Sequence, residues 1–186
     1  MRLYKCLKNQ IFVVGDFKLV PIRDMDKLEI LKFRNEQMYH LRQSKQITIE
    51  DQNTYFDNIV SNLFEQKEPN QLLFSVLNNN EFIGYGGLVH INWIDKHAEI
   101  SFVMRTELEA EHFADYWKNY LSLLVNVAFT ELKFHKIFTY AFDLRPKLYT
   151  ALLQSGFKEE ARLKEHCFFN GKYIDVLIHT KINNNA

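Results

Sequence analysis

The feature that most constrains this chain is a strand-like run followed by an acidic loop and a long amphipathic helix. The run ends with Ala98–Met104, and the helix pattern spans Tyr116–Phe134, with apolar side chains at helical spacing. The first N–H groups of a helix have no partner within the helix, so a strand, loop and helix start in this order form an anion site. The functional question is whether the chain uses that site.

Length and composition indicate one globular domain spanning residues 1–186. The chain has 186 residues, of which 47% are hydrophobic and 25% charged, which is enough to bury a core and argues against disorder. Lys plus Arg equals Asp plus Glu at 23 each, so no net basic field favours nucleic acid or anionic lipid. The partners expected are therefore neither nucleic acid nor membrane.

Two features predict a cytoplasmic protein. Cys6 and Cys167 are the only cysteines, too few and too scattered for a disulfide framework or a zinc site. The N-terminus has only a short apolar run at its Ile11–Val14 segment, which is too short for a signal sequence or a membrane span.

Turn residues such as Asn170-Gly171, candidate helix N-caps at Asp24 and Asp26, a capping box from Thr48 to Asp51, and periodicity predict the order β-αα-βββ-α-β-α-ββ. The predicted elements are a hairpin over 10–22, helices from Asp26 to about Met38 and from Thr48 to about Gln66, strands Leu72–Leu77, Phe82–Trp93 and Ala98–Met104, the helix Tyr116–Phe134, a strand Ile137–Phe142, a helix Pro146–Gln154, and a closing hairpin Phe157–Phe169 with Tyr173–Ile182. The tail 183–186 is expected to fray.

This order predicts an α/β (α+β) sandwich with a mixed, mostly antiparallel sheet and helices on both faces. The one parallel pair expected joins Ala98–Met104 to Ile137–Phe142, because a helix connects them. Gly84, Gly86 and Gly87 lie inside a predicted strand, where they indicate a bulge or a close approach by another backbone.

Three stretches resemble the GNAT superfamily of acetyl-CoA-dependent N-acetyltransferases. They are FIGYGGLVHINWIDKHAEISFVM (82–104), AFTELKFHKIF (128–138) and QSGFKEEARLKEHCFFNGKYIDVLIHTKI (154–182). The closer branch acetylates amino sugars, antibiotics or ribosomal-protein N-termini. The resemblance implies that strand 98–104 splays from strand 137–142, and that acetyl-CoA lies in this V with its pantetheine along Phe102, Val103 and Met104. No metal is implied.

The resemblance places the pyrophosphate loop at His112–Trp117. Phe113, Ala114, Asp115, Tyr116 and Trp117 would then surround the pyrophosphate, with Asp115 and Trp117 where the family has glycines. Asp115 would repel the anion; alternatively, it is a helix N-cap or first-turn acid that needs no ligand. Arg145 stands where the family often has Asn. Arg145 would either grip a phosphate or be a solvated charge.

The candidates for catalysis and acceptor binding lie on the strands and the helix that flank the V. Glu99 is the predicted general base, because an acid in an otherwise apolar run is rarely there for packing; the alternative is a salt-bridged residue. Tyr149 is the predicted acid, in place of the family's Tyr at the position of Leu152, or else a packed aromatic. His90 and Trp93 are predicted to line the acceptor pocket, although a lone strand His is more often structural.

Two functions remain open from the sequence. The first is transfer of acetyl from acetyl-CoA to a primary amine of a small molecule such as an amino sugar or nucleotide sugar, by direct attack on the thioester. The second is a non-catalytic binding module that keeps the fold but has lost coenzyme binding, with its cleft plugged by aromatic side chains. The aromatic-rich closing hairpin is a candidate interface for a homodimer.

Overall fold

The computed structural model describes residues 2–41 and 43–184. Its strands are β1 (Phe12–Val14), β2 (Phe17–Pro21), β3 (Leu72–Asn78), β4 (Glu81–Asn92), β5 (His97–Met104), β6 (Lys136–Phe142), β7 (Lys158–Phe169) and β8 (Lys172–Ile182). The helices are α1 (Lys27–Glu36), α2 (Ile49–Tyr55), α3 (Phe113–Val125) and α4 (Pro146–Gln154). π-Helical segments Phe56–Val60 and Asn126–Glu131 extend α2 and α3, and the short α-helical segment Ser61–Leu63 continues the first of these.

The strands form one eight-stranded sheet in the order β1-β2-β3-β4-β5-β6-β8-β7. All neighbours are antiparallel except β5 and β6, which are parallel. The predicted fold class and the single parallel pair are therefore confirmed, and the parallel pair is connected through α3, as a crossover requires.

The helices cover both faces of the sheet. The hydroxyl of Tyr85 on β4 bonds Arg34 of α1, whereas a Cβ added at the next residue, Gly86, would meet Tyr120 of α3. Since adjacent strand residues point to opposite faces, α1 and α3 lie on opposite sides. We call these the α1 face and the α3 face.

The structure differs from the prediction at the start of one helix and at one helix cap, and it agrees at another cap. The helix predicted from Tyr116 starts earlier, at Phe113. Asp26 makes no side-chain cap to α1, because its buried carboxylate binds Arg23 and the Ser75 hydroxyl instead. The capping box at Thr48 is confirmed, since Thr48 and Asp51 satisfy each other's backbone N–H groups.

The chain end also differs from the prediction of a frayed tail. Asn183 is buried, and its side-chain amide donates to the Phe134 carbonyl at 3.0 Å. Its backbone N–H donates to His135, which fixes the chain past β8. Residues 185 and 186 lie outside the described residues. No helix among residues 2–41 and 43–184 is long and apolar enough to cross a bilayer.

Gly86 marks the close approach predicted for the strand glycines. The Tyr120 hydroxyl donates to the Ser101 carbonyl at 2.6 Å, directly over β4. A Cβ at Gly86 would lie 2.1 Å from that carbonyl oxygen and 2.7 Å from the Tyr120 oxygen. Only a residue without a side chain fits between β5 and α3 at this point.

We expect Gly86→Ala to lower the free energy of unfolding by about 3 kcal/mol, because backbone atoms must shift to admit the methyl group. Gly15→Ala is the matched control: its Cβ meets open space, and only its left-handed φ of 56° is strained, which costs about 1 kcal/mol. Urea denaturation measures both. Equal losses would contradict a steric role for Gly86.

Candidate active site

The pairing of β5 with β6 stops early, so a gap opens in the middle of the sheet. The ladder joins His97–Glu99 to Lys136–Phe138 and no further residues. Beyond it β5 stays paired to β4 as far as Met104, and β6 stays paired to β8 as far as Phe142. The V expected from the family resemblance is present.

A cleft of about 280 Å³ occupies this gap. Residues 99–102 of β5 and 139–142 of β6 form its two sides, and Trp117 and Leu148 reach it from α3 and α4. Arg34 and His40 reach it from the α1 side. The cleft therefore passes between the two strands and is lined from both faces of the sheet.

The free edge of β5 coincides with the predicted residues only at Phe102. Cβ atoms added at Gly86 and Gly84 would lie 2.1 and 2.5 Å from the Ser101 and Val103 carbonyl oxygens, so these carbonyls face β4. Backbone groups alternate along a strand, which leaves Ile100 and Phe102 pointing into the gap. Val103 is thus not an edge partner for a ligand, and the Met104 carbonyl already accepts from Gln37 at 2.7 Å.

Glu99 lies at the apex of the V, at the last paired position of β5. It is only 8% exposed and lines the cleft. Residues directly opposite in an antiparallel pair share a face, and Tyr85 opposes Val103, so Glu99, Val103 and Tyr85 all point to the α1 face. A buried carboxylate therefore faces the side of the sheet that carries α1 and α2.

The two predicted acceptor residues separate in the structure. His90 lines the cleft, with Nε2 3.9 Å from the Glu99 carboxylate, in a left-handed conformation where β4 leaves its register. Trp93 does not line this cleft: its Nε1 donates to the Pro69 carbonyl at 2.8 Å and its ring packs edge-on against Phe134. Trp93 has a structural role that the sequence did not indicate.

Tyr149 is turned away from the cleft lining. Its hydroxyl lies 3.1 Å from both the Phe142 carbonyl and the Asp143 carboxylate, and its ring stacks on His179. Burial raises the pKa of Tyr149 well above its usual value, and the Asp143 charge adds to the shift. A role for Tyr149 as the acid stays a prediction. In this structure its hydroxyl is hydrogen-bonded to Phe142 and Asp143 at the end of β6.

The residues predicted as a pyrophosphate loop form the first turn of α3. Ala114 and Asp115 are exposed, Phe113 is buried, and the Tyr116 hydroxyl accepts from Asn78. Asp115 is a first-turn acid and not the N-cap, which is His112. Trp117 is 4% exposed and packs edge-on against Phe102 with ring centroids 5.1 Å apart, so it belongs to the core beside the cleft.

Arg145 and Glu109 form an ion pair across the open end of the V. Glu109 follows β5 and Arg145 follows β6, so the pair connects the ends of the two parted strands. The Arg145 guanidinium also lies 4.9 Å from the Phe113 ring centroid. Burial raises the pKa of Glu109, and the neighbouring Arg145 charge opposes that shift.

His40 completes this cluster, and no motif in the sequence singles it out. Its Nδ1 lies 3.2 Å from the Arg145 guanidinium, which can only donate, so Nδ1 accepts and Nε2–H donates to Gln37. This arrangement requires neutral imidazole. Burial, with the Arg145 charge, accordingly lowers the pKa of His40 to about 3.

Thr139 is a second cleft residue that nothing in the sequence identifies as part of the site. It is 3% exposed on β6, lines the cleft, and its hydroxyl has no hydrogen-bond partner among the described residues. A buried hydroxyl without a partner is costly. Together with the free edge at Ile100 and Phe102, it makes the gap suitable for a thin ligand with amide groups, such as pantetheine.

The His40 pKa generates a prediction about stability. The unfolded histidine titrates near 6.5 and the folded one near 3, so the unfolded state binds an additional proton as pH falls below about 6.5. Stability is complete above that pH and falls below it, by at most about 1.4 kcal/mol per pH unit. We expect His40→Gln to flatten this slope in urea denaturation across the acid range. The exposed His135→Gln serves as control, and a slope unchanged in His40→Gln would contradict the assignment.

Comparison with known proteins agrees with this geometry. The family model for the acetyltransferase (GNAT) domain matches residues 19–178. Spermidine N(1)-acetyltransferase of Vibrio cholerae serotype O1 is 33% identical over 94 residues, which are 50% of this chain and 53% of that protein. The match thus spans about half the length of that curated relative.

Two solved structures share the fold at low identity. Spermidine N-acetyltransferase from Vibrio cholerae, in complex with CoA and spermine, superposes with a TM-score of 0.78 at 22% identity, covering 91% of this chain and 97% of that one. RimL, a ribosomal L7/L12 alpha-N-protein acetyltransferase in complex with CoA, gives 0.77 at 14% identity, covering 95% and 99%. Since the family model covers most of the chain, this protein belongs to the GNAT acetyltransferase family.

Proposed function

We propose that this protein transfers an acetyl group from acetyl-CoA to a primary amine. The observation that carries the proposal is the buried carboxylate of Glu99 at the apex of a cleft between two parted strands. Membership of the acetyltransferase family supports it. The non-catalytic alternative required a plugged cleft, and it is not favoured because the gap is open beside Trp117.

In this proposal the gap would hold the pantetheine of acetyl-CoA, and the open end of the gap would hold its diphosphate. The backbone of Ile100 and Phe102 and the Thr139 hydroxyl would hold the pantetheine amides. The first-turn amides of Phe113, Ala114 and Asp115 and the Arg145 guanidinium would lie toward the diphosphate, with Tyr116 and Trp117 behind them. Bound there, acetyl-CoA supplies the activated acyl group.

Glu99 acts as the general base in this proposal. It removes a proton from the acceptor ammonium, directly or through a water, so that the free amine attacks the thioester carbon. A C–N bond forms, the nitrogen loses a second proton, the C–S bond breaks, and the departing sulfur takes up one proton, which leaves the amide and CoA. His90, 3.9 Å from Glu99 and largely exposed, lies on the route by which the proton reaches solvent.

The relatives suggest which acceptors to assay first. The curated relative is named for spermidine, and one matching structure contains spermine, so a polyamine is the first acceptor class to test. The comparisons give no support to an amino sugar. The homodimer through the closing hairpin stays a prediction; Phe168 and Tyr173 are exposed there, with ring centroids 5.2 Å apart.

We expect Glu99→Gln to lower kcat by about 10²–10⁴-fold, because the amine loses its proton acceptor. Affinity for CoA, measured by isothermal titration calorimetry, should stay the same. Glu65→Gln, which removes an exposed carboxylate far from the cleft, is the control for turnover. If Glu99→Gln kept wild-type kcat with unchanged pH dependence, another group would be the base.

We expect Arg145→Gln and Glu109→Gln to change CoA affinity in opposite directions. Glu109 holds the guanidinium that the diphosphate would compete for, so its neutralisation should tighten CoA binding, and loss of Arg145 should weaken it, each by about tenfold. Calorimetry at low and high salt measures both, and the effects should shrink with salt. A weaker affinity in both variants would mean that the ion pair is needed intact and does not compete.

A further inference from the structure

Arg34 differs from every other described arginine in its partners. Each of the others lies within ion-pair distance of at least one carboxylate: Arg2, Arg23, Arg105, Arg145 and Arg162. Arg34 has only neutral partners among the described residues, the Tyr85 hydroxyl at 2.8 Å and the Gln43 side-chain carbonyl at 3.2 Å. It is a partly buried cation without a counter-ion in the part of the chain that the structure describes.

Arg34 lies where an acceptor would enter. It lines the catalytic cleft and also a second cavity of about 310 Å³ between α1, α2 and the sheet. Besides Arg34 and Tyr85, that cavity is lined by Ile22, Ile30, Ile47, Tyr55 and Phe56 and by the polar Asp51 and Gln52. Because Arg34 bonds Tyr85, and Tyr85 shares the α1 face with Glu99, the cation and the proposed base approach the gap from the same side.

The guanidinium is held in place before any ligand arrives. Gln43, which bonds its Nε, is itself bonded to Asn35 at 2.9 Å, and Asn35 makes two further bonds to the backbone of Ile47. These bonds fix the segment that follows α1. A fixed arginine presents its donors in a defined plane, which suits carboxylate and phosphate oxygens.

We infer that Arg34 is a specificity-determining residue that binds an anionic group on the acceptor, a carboxylate or a phosphate, while the acceptor's amine lies at Glu99. This inference rests on the proposed acetyltransferase activity and names the acceptor class. A partly buried cation without a counter-ion costs free energy, and an anionic acceptor would offset that cost on binding.

The same charges disfavour a polycation. Glu99 is the only carboxylate among the described residues that line the cleft, and the proposed chemistry uses it as the base. A polyamine keeps at least one further ammonium after its reacting nitrogen is deprotonated. That charge would enter a site lined by Arg34, which has no carboxylate partner among the described residues.

The test compares matched acceptors. A series of ω-amino carboxylates of increasing chain length, the corresponding ω-amino phosphates, the uncharged ω-amino alcohols and spermidine are assayed for kcat/KM with acetyl-CoA. The wild-type protein should prefer a carboxylate or phosphate acceptor to its alcohol by about tenfold or more. The two anionic series distinguish the sources of the anion.

Arg34→Gln should lower kcat/KM for anionic acceptors by about 10–100-fold and leave the alcohols nearly unchanged. Arg34→Lys should recover part of the loss, and Arg2→Gln, which removes an exposed arginine, should match the wild type. CoA affinity and melting temperature show whether each variant is folded. An unchanged ratio of anionic to neutral acceptors in Arg34→Gln, or a wild-type preference for spermidine, would overturn the inference.

A failure of the proposed function gives a different result. If no amine is acetylated although CoA binds, the activity is wrong, and calorimetric titration of the same amines into the CoA complex still tests Arg34. Binding of an anionic amine that is lost in Arg34→Gln would support the inference without turnover. Equal binding of anionic and neutral amines would refute it.

Discussion

The parting of β5 and β6 is the constraint on which the rest of the site depends. Each strand is held by its outer neighbour, β5 by β4 and β6 by β8, along nearly its whole length. Phe102 stacks on Tyr120 with ring centroids 4.1 Å apart, and the Tyr120 hydroxyl binds the Ser101 carbonyl, so α3 fixes β5 against β4. Closing the gap would require these contacts to break, and the cleft is therefore built into the core.

The open end of the gap is organised by charge instead of by glycine. A glycine-rich loop would bring backbone N–H groups to an anion without side chains in the way. Here the corresponding residues begin α3, and the Glu109–Arg145 pair occupies the space between the two strand ends. An arriving diphosphate would replace Glu109 as the anionic partner of Arg145. Arg145 would then be paired with the Glu109 carboxylate in the free protein and with the diphosphate in the complex.

Much of the fold could be predicted from the sequence because its signals are local. Asn170-Gly171, the Thr48 capping box and the periodicity of 116–134 each fix an element from neighbouring residues alone. Trp117 lies inside the predicted helix, but the family pattern puts a glycine of the pyrophosphate loop at its position. The sequence did not indicate that its side chain is buried against Phe102, because that contact is tertiary.

The site was predicted less completely because its properties come from contacts distant in sequence. Glu99, which the structure places in the cleft, could be singled out because a charge inside an apolar strand is visible locally. Arg34 and His40 look like ordinary polar residues near a helix end. Their significance comes from Tyr85 and Arg145, which lie 51 and 105 positions away along the chain.

The sheet also places the side chains around the cleft on two opposite faces. Glu99 pairs with Phe138 in the parallel ladder, so Phe138 and Tyr140 share the face of Glu99 and Arg34, whereas Thr139 and Ala141 point with α4 to the other face. Tyr149, stacked on His179 opposite Thr139, belongs to that second face. In the proposed reaction, acceptor recognition and proton removal would thus both take place on the α1 face. A group that protonates the departing sulfur must act through the gap or come from residues 139–142 that border it.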